Sequence, residues 1–262
     1  MFYRVDYVVA VILAGLVVGV LLNRQLEKIA SCRLARAYYQ LVVVLLAVRT
    51  TTFVYSLITS NGSRRYAVFG LLGDLLPFSF GVLLGLAIRR NDTRKLLTHP
   101  STLGAMSLAI SLTFVMAGIG KAFTLAPMAE FFAQSGYSAA FLKLITIAEI
   151  LGAIGLLLPW AVVPALLGLT VDMFGAVLTH VHNGDPLNDS TGAIALLIRL
   201  FVFALLWTLR PRNEESSLTM RTALFRVMAA TVACLFIAYS GSLAVRHLSP
   251  PAATNGSPAV SR

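Results

Sequence analysis

The chain has 262 residues, of which 58% are hydrophobic and only 12% charged, with 21 Lys and Arg against 11 Asp and Glu. A soluble domain carries roughly 25% charged residues, so half the charge needed to clothe a water-facing surface is missing, and a soluble globular fold is excluded. The positive excess does not point to nucleic acid. The basic residues stand in short runs between apolar stretches, where they set topology and meet anionic lipid headgroups, and no soluble domain is left to carry a groove-reading face.

Eight apolar runs follow in chain order: Tyr7–Leu22, Tyr38–Ile58, Ala67–Ile88, Leu103–Thr124, Ala140–Leu158, Ala161–His180, Ser190–Leu209 and Thr222–Val245. A helix crosses a ~30 Å hydrocarbon core with about 20 apolar residues. Backbone groups in lipid must satisfy one another, which leaves helices or a closed barrel, and these runs are too long and too evenly apolar for barrel strands. The expected fold class is all-α, a polytopic transmembrane helix bundle of about eight spans.

Several details follow along the chain. The first run lacks a small-x-small cleavage site and leads into Asn23-Arg24-Gln25, so it reads as an uncleaved span. Pro77 falls inside the third run and predicts a kink. The stretch from Leu125 to Ala139 is too mixed to span. Met128, Phe131 and Phe132 recur at helical spacing beside Glu130 and Gln134, which reads as a short interfacial helix or an ordinary loop. Pro159-Trp160 forces the fifth and sixth runs into a tight antiparallel hairpin, and Asn183-Gly184-Asp185-Pro186 is a turn signal. Residues 249–262, rich in Pro, Ala, Ser and Gly, read as a disordered tail.

The loops after the first, third and seventh spans hold more Lys and Arg than the others, Arg64-Arg65 notwithstanding, which places both termini outside the cytoplasm. Cys32 falls in a loop and Cys234 near mid-bilayer, so no disulfide and no dithiol chemistry is expected of the chain alone.

Ionisable residues inside a span cost roughly 2.5–3.5 kcal/mol each on insertion scales, so each needs a reason. Glu149, Asp172 and Arg199 lie at similar depth on three consecutive spans. The Arg199 fork suits both carboxylates. If it pairs with one, the other is left protonated or bound to something cationic or proton-donating. Such a cluster serves either as a lock between helices or as a ligand or proton site. Arg49 and Asp74 form a candidate structural ion pair between the second and third spans. Lys121 and His180 stand near the outer surface as further ligand-site candidates, with Gly118 and Gly120 allowing close approach to Lys121. His180 and His182 point to different sides of a helix and cannot share one metal. Haem ligation would need His180 and His247, the only pair on one side. No metal site is expected, and no P-loop, dinucleotide fingerprint or nucleophile elbow occurs.

The segment Phe114-Val-Met-Ala-Gly-Ile-Gly-Lys121 resembles the opening-helix signature of the DoxX-like family. Ala148-Glu149-Ile-Leu-Gly152-Ala-Ile-Gly155 is similar to that family's second-helix motif, and Ala176-Val-Leu-Thr-His180-Val-His-Asn-Gly184 to the end of its third helix. The resemblance covers a four-helix unit at 103–209. It leaves a three-span N-terminal segment at 1–98 and an extra span at 222–246 as departures from the compact form. Gly120, Lys121, Glu149, His180, Asn183 and Gly184 are the family-like residues. The resemblance implies a bacterial inner-membrane protein. Its relatives are linked to membrane oxidoreductase systems, including thiosulfate–quinone oxidoreduction and thiol or oxidative-stress complexes, and others act as membrane chaperones or cargo receptors. Three readings stay open: an oxidoreductase-associated membrane subunit that binds quinone or anchors a redox protein partner, with no intrinsic cofactor; a non-enzymatic scaffold or assembly factor; and a small-molecule transporter.

Overall fold

The computed structural model describes residues 5–26, 29–59, 63–88, 93–123, 125–211 and 220–248. These form ten helices: α1 (Val5–Leu26), α2 (Ser31–Thr59), α3 (Ser63–Ile88), α4 (Thr93–Leu97), α5 (Pro100–Phe123), α6 (Leu125–Gln134), α7 (Ala139–Leu157), α8 (Val162–Asn183), α9 (Thr191–Leu209) and α10 (Met220–Leu248). No strand occurs among the described residues. The region expected as a disordered tail, 249–262, lies outside them.

Among the described residues six helices are long and apolar enough to cross a membrane: α2, α5, α7, α8, α9 and α10. Two shorter apolar stretches, Val9–Asn23 and Leu75–Ile88, lie in α1 and α3. Their outward faces are apolar. Leu144, Ile147 and Leu151 run along α7 and Phe225, Val232 and Phe236 along α10, all exposed. Apolar stripes of this extent are tolerable only where lipid covers them. The protein is therefore an all-α, multi-pass membrane protein.

The largest core lies among α5, α7, α8 and α9, around the fully buried Phe114, Leu156, Leu169, Leu200 and Phe203. Small residues let α7 and α8 close into the expected hairpin. A Cβ at Gly152 would overlap Leu169, and one at Gly155 would press on Ala165. The hairpin is tied by Ala161 N donating to Leu158 O at 2.9 Å. α5 and α7 run antiparallel, their register fixed by the Ser107 hydroxyl donating to Leu156 O at 2.6 Å and by Gly118 seated against Thr146 and Ile150.

The N-terminal helices attach to this unit through α2. Val42 and Leu46 pack on Ala105 of α5, while Ala35 meets Leu83, Ala87 and Leu96. α1 and α3 are joined differently. Gly15 and Gly19 face Gly81 and Gly85 across a parallel crossing so close that a Cβ on any of them would strike the partner's backbone. This is G-x-x-x-G packing on both helices, the arrangement that lets membrane helices gain contact where lipid removes any hydrophobic drive. Pro77 lies inside α3. α4, not anticipated from sequence, carries Arg94 to the end of α9, where its Nε and Nη2 donate to Leu209 O at 3.2 and 2.9 Å. A cation there also meets the negative end of the helix dipole.

Candidate functional site

The stretch between the fourth and fifth spans is helical, α6, followed by a turn through Gly136 at φ 81°. This turn is bound to the far end of α8. Asn183 Nδ2 donates to Ser135 Oγ at 2.8 Å, and the Tyr137 and Thr179 hydroxyls meet at 3.3 Å. Phe132, Tyr137 and Phe141 stack beneath it. Helix α8 stops at Gly184, whose φ of 72° suits glycine, and Asp185 N closes the end onto His180 O at 3.0 Å. His180 is used in this closure. Its Nδ1 lies 2.8 Å from Asp185 Oδ2, and its ring rests on Phe131. His180 therefore belongs to the turn that ends α8, and no contact links it to the buried acids.

Beneath this end of the bundle, Lys121 of α5 pairs with Glu149 of α7. The helices are antiparallel, and every side chain leans toward its own helix N-terminus. Lys121, near the end of α5, therefore leans inward, while Glu149 leans back to meet it. The long Lys stem crosses the axial offset between them. Glu149 is 2% exposed and Lys121 22%, so the pair is sealed on the acid side and open on the amine side. Glu149 sits about 15 Å along α7 from Ala139, close to the middle of a ~30 Å core.

Asp172 of α8 completes the cluster. It stands close enough to Glu149 and Lys121 for their charges to act on it. Glu149 Oε2 and Asp172 Oδ2 are both buried with no donor. Among the described residues, Lys121 is the cation that acts on both carboxyls. Gly175 stands one turn along α8 from Asp172, and a Cβ there would meet nothing.

Arg199 is not the cation of this cluster, which corrects the expectation from span depth. It lines a separate cavity with Arg49, bounded by α1, α2, α3, α5 and α9. Depth alone placed Arg199 level with the acids, but α9 turns this side chain toward the N-terminal helices. Lys121 took the role because side-chain lean brings it to mid-bilayer from the end of its span. The signal was present in the sequence as an antiparallel pair of runs with a Lys late in one and a Glu midway in the other. Gly118 packs closely as expected, whereas Gly120 faces open space. The proposed partner of Arg49, Asp74, has a side chain outside the described residues. Among the described residues no three His, Cys, Asp or Glu are grouped as metal ligands.

Residues 105–209, which hold the whole cluster, match the DoxX-like family. This segment is a DoxX-like unit. It comprises α5 to α9, the helices that share the main core, and its bounds coincide closely with the four-helix unit expected from the motifs around Lys121, Glu149 and His180. No curated protein and no solved structure matches the chain.

Proposed function

We propose that the protein is a membrane subunit of an oxidoreductase system, set in a bacterial cytoplasmic membrane with both termini outside, in which Lys121, Glu149 and Asp172 hold the polar head of a quinone. The reading is carried by the two buried oxygens, Glu149 Oε2 and Asp172 Oδ2, which have no donor among the described residues, beside the Lys121 cation. In the reduced form a quinol hydroxyl aimed at these oxygens supplies a donor, and in the oxidised form a quinone carbonyl accepts from the partly exposed Lys121 ammonium. A quinone bound there supplies two-electron redox chemistry that the side chains lack, its electrons exchanged with a protein partner. The chain's own groups hold and release a proton between Asp172 and Glu149 and orient the ring.

The test is extraction of lipophilic molecules from the purified protein, its Glu149→Gln and Asp172→Asn variants, and a Gly175→Leu variant that places a side chain one turn from Asp172 without changing charge. Quinone should accompany the wild type in stoichiometric amount and fall at least tenfold in all three, with no melting temperature lowered. Equal quinone content in every sample, or none in the wild type, overturns the proposal. The Lys121–Glu149 link between α5 and α7 supports the scaffold alternative, under which Glu149→Gln lowers the melting temperature and changes nothing that is bound.

A further inference from the structure

A groove of about 410 Å³ runs between α8, α9 and α10. Helices α8 and α9 belong to the DoxX-like unit and α10 lies outside it, so the extra span creates the groove by closing against the unit. The lining runs from Val163 to Phe174 on α8, from Leu197 to Thr208 on α9 and from Arg226 to Cys234 on α10. At 1.5 Å per residue these stretches cover about 16, 16 and 12 Å, close to half of a ~30 Å hydrocarbon core. The groove is therefore about one leaflet deep, starting near the end of α9 and closing near mid-bilayer. Its walls are apolar. Thr170, Thr208 and Thr231 donate their hydroxyls to carbonyls of their own helices, and the Cys234 thiol meets Leu167 O. Val163, Leu167 and Ile198 line it and are exposed, so it opens sideways to lipid. Trp207 and Arg226 stand at the shallow end. Trp207 Nε1 is buried with no acceptor among the described residues, and Arg226 is exposed at the mouth.

We infer that this groove holds one acyl chain of a phospholipid of the adjoining leaflet, with the glycerol ester beside Trp207 and the phosphate beside Arg226. The shape selects a chain: 410 Å³ drawn out over some 16 Å is too narrow for a helix about 10–12 Å across. The walls exclude water, which finds no partners on them, and an unfilled apolar groove forfeits contacts that a chain restores. The polarity gradient sets the direction. An indole at the membrane interface keeps its apolar body in hydrocarbon and offers its N–H to a polar group at headgroup level, and an ester carbonyl there is an acceptor. A guanidinium fork at the same end suits a phosphate. The site is separate from the carboxyl cluster. Asp172 is two residues from both Thr170 and Phe174, which at 3.6 residues per turn puts it on the opposite side of α8.

The test uses Trp207 as its own reporter. The chain has two tryptophans, so Trp160→Phe leaves Trp207 as the sole indole. The full-length variant in mild detergent is titrated with phosphatidylglycerol carrying a brominated chain, since bromine quenches indole fluorescence on contact, and bound lipid is counted by native mass spectrometry. Quenching should saturate at one lipid per protein. Diacylglycerol with the same brominated chain, which lacks the phosphate, should bind at least fivefold more weakly. Arg226→Gln should weaken phosphatidylglycerol binding about threefold. Ala204→Phe and Ala230→Phe fill the groove from α9 and α10, and each should weaken binding at least tenfold, so that one remains decisive if the other misfolds. Quenching that climbs with lipid without saturating marks ordinary bilayer contact and overturns the inference. So does diacylglycerol bound as tightly as phosphatidylglycerol, or unchanged affinity in either folded groove-filling variant.

Discussion

A lysine near the end of a membrane helix can point its amine to water or into the bilayer, and the direction of its Cβ biases the choice. In Lys121 the lean is inward, toward Glu149. Removing the amine leaves a 98%-buried carboxylate alone, since Glu149 is only 2% exposed. Lys121→Met should therefore cost about 3 kcal/mol, the lower part of the range for breaking a buried pair, because the amine side is partly open. Adding Glu149→Gln should recover more than half of that loss, as an unpaired amide is far cheaper to bury than an unpaired charge. Unfolding of the single and double variants in detergent reads this directly; an additive double variant would mean the two groups do not interact. Asp172→Asn works in the opposite direction. The amide brings the donor that Glu149 Oε2 lacks, so stability should rise by about 1 kcal/mol while ligand binding is lost. A more stable but inactive variant marks a site kept unbalanced for function. The acids and Lys121 were each legible in the sequence as residues needing a reason; which cation faced which acid was not, because depth fixes height in the bilayer and leaves rotation about the helix axis open.

At the scale of helices, glycine decides two junctions. Gly15 and Gly19 meet Gly81 and Gly85 with backbone against backbone. Gly19→Val should separate α1 from α3 and cost more than the ~1–3 kcal/mol of ordinary overpacking, since backbone cannot yield as a side chain does. Disulfide cross-linking between cysteines placed at Ile12 and Phe78, on either side of the Gly15 contact, would be lost in the variant if the junction opens, and retained if it does not. Gly184 ends α8 in the left-handed region, so Gly184→Ala should cost about 1 kcal/mol and Gly184→Asn less. The two cases differ in how the sequence announced them. Gly184 sits in a turn signal that a reader takes at face value. The paired G-x-x-x-G runs say only that some backbone comes close, and nothing local says which of the other helices supplies it. The short α4 was missed because it lies between two spans, where hydropathy carries no information; its reason for being helical is the Arg94 bond to the end of α9, a tertiary contact.

For the whole molecule, the number and kind of helices could be read from composition and run length because lipid leaves the backbone few choices. The arrangement of helices could not, since the outward faces of spans such as α7 and α10 are as apolar as their core faces. The proposed orientation rests on loop charge and can be tested with the native cysteines. Cys32 is exposed beside Arg33 and Arg36, in a region assigned to the cytoplasmic side, and Arg36 Nε donates to its carbonyl at 3.4 Å. Cys234 is buried within α10 with its thiol 3.8 Å from Leu167 O, and should stay unreactive. In sealed spheroplasts a membrane-impermeant maleimide should leave the protein unlabelled, whereas a permeant one, or the impermeant reagent after lysis, should add a single label that Cys32→Ser removes. Labelling of intact spheroplasts through Cys32 would invert the topology. The open side of the Lys121–Glu149 pair would then face the cytoplasm, and the electron partner would have to be sought among cytoplasmic proteins.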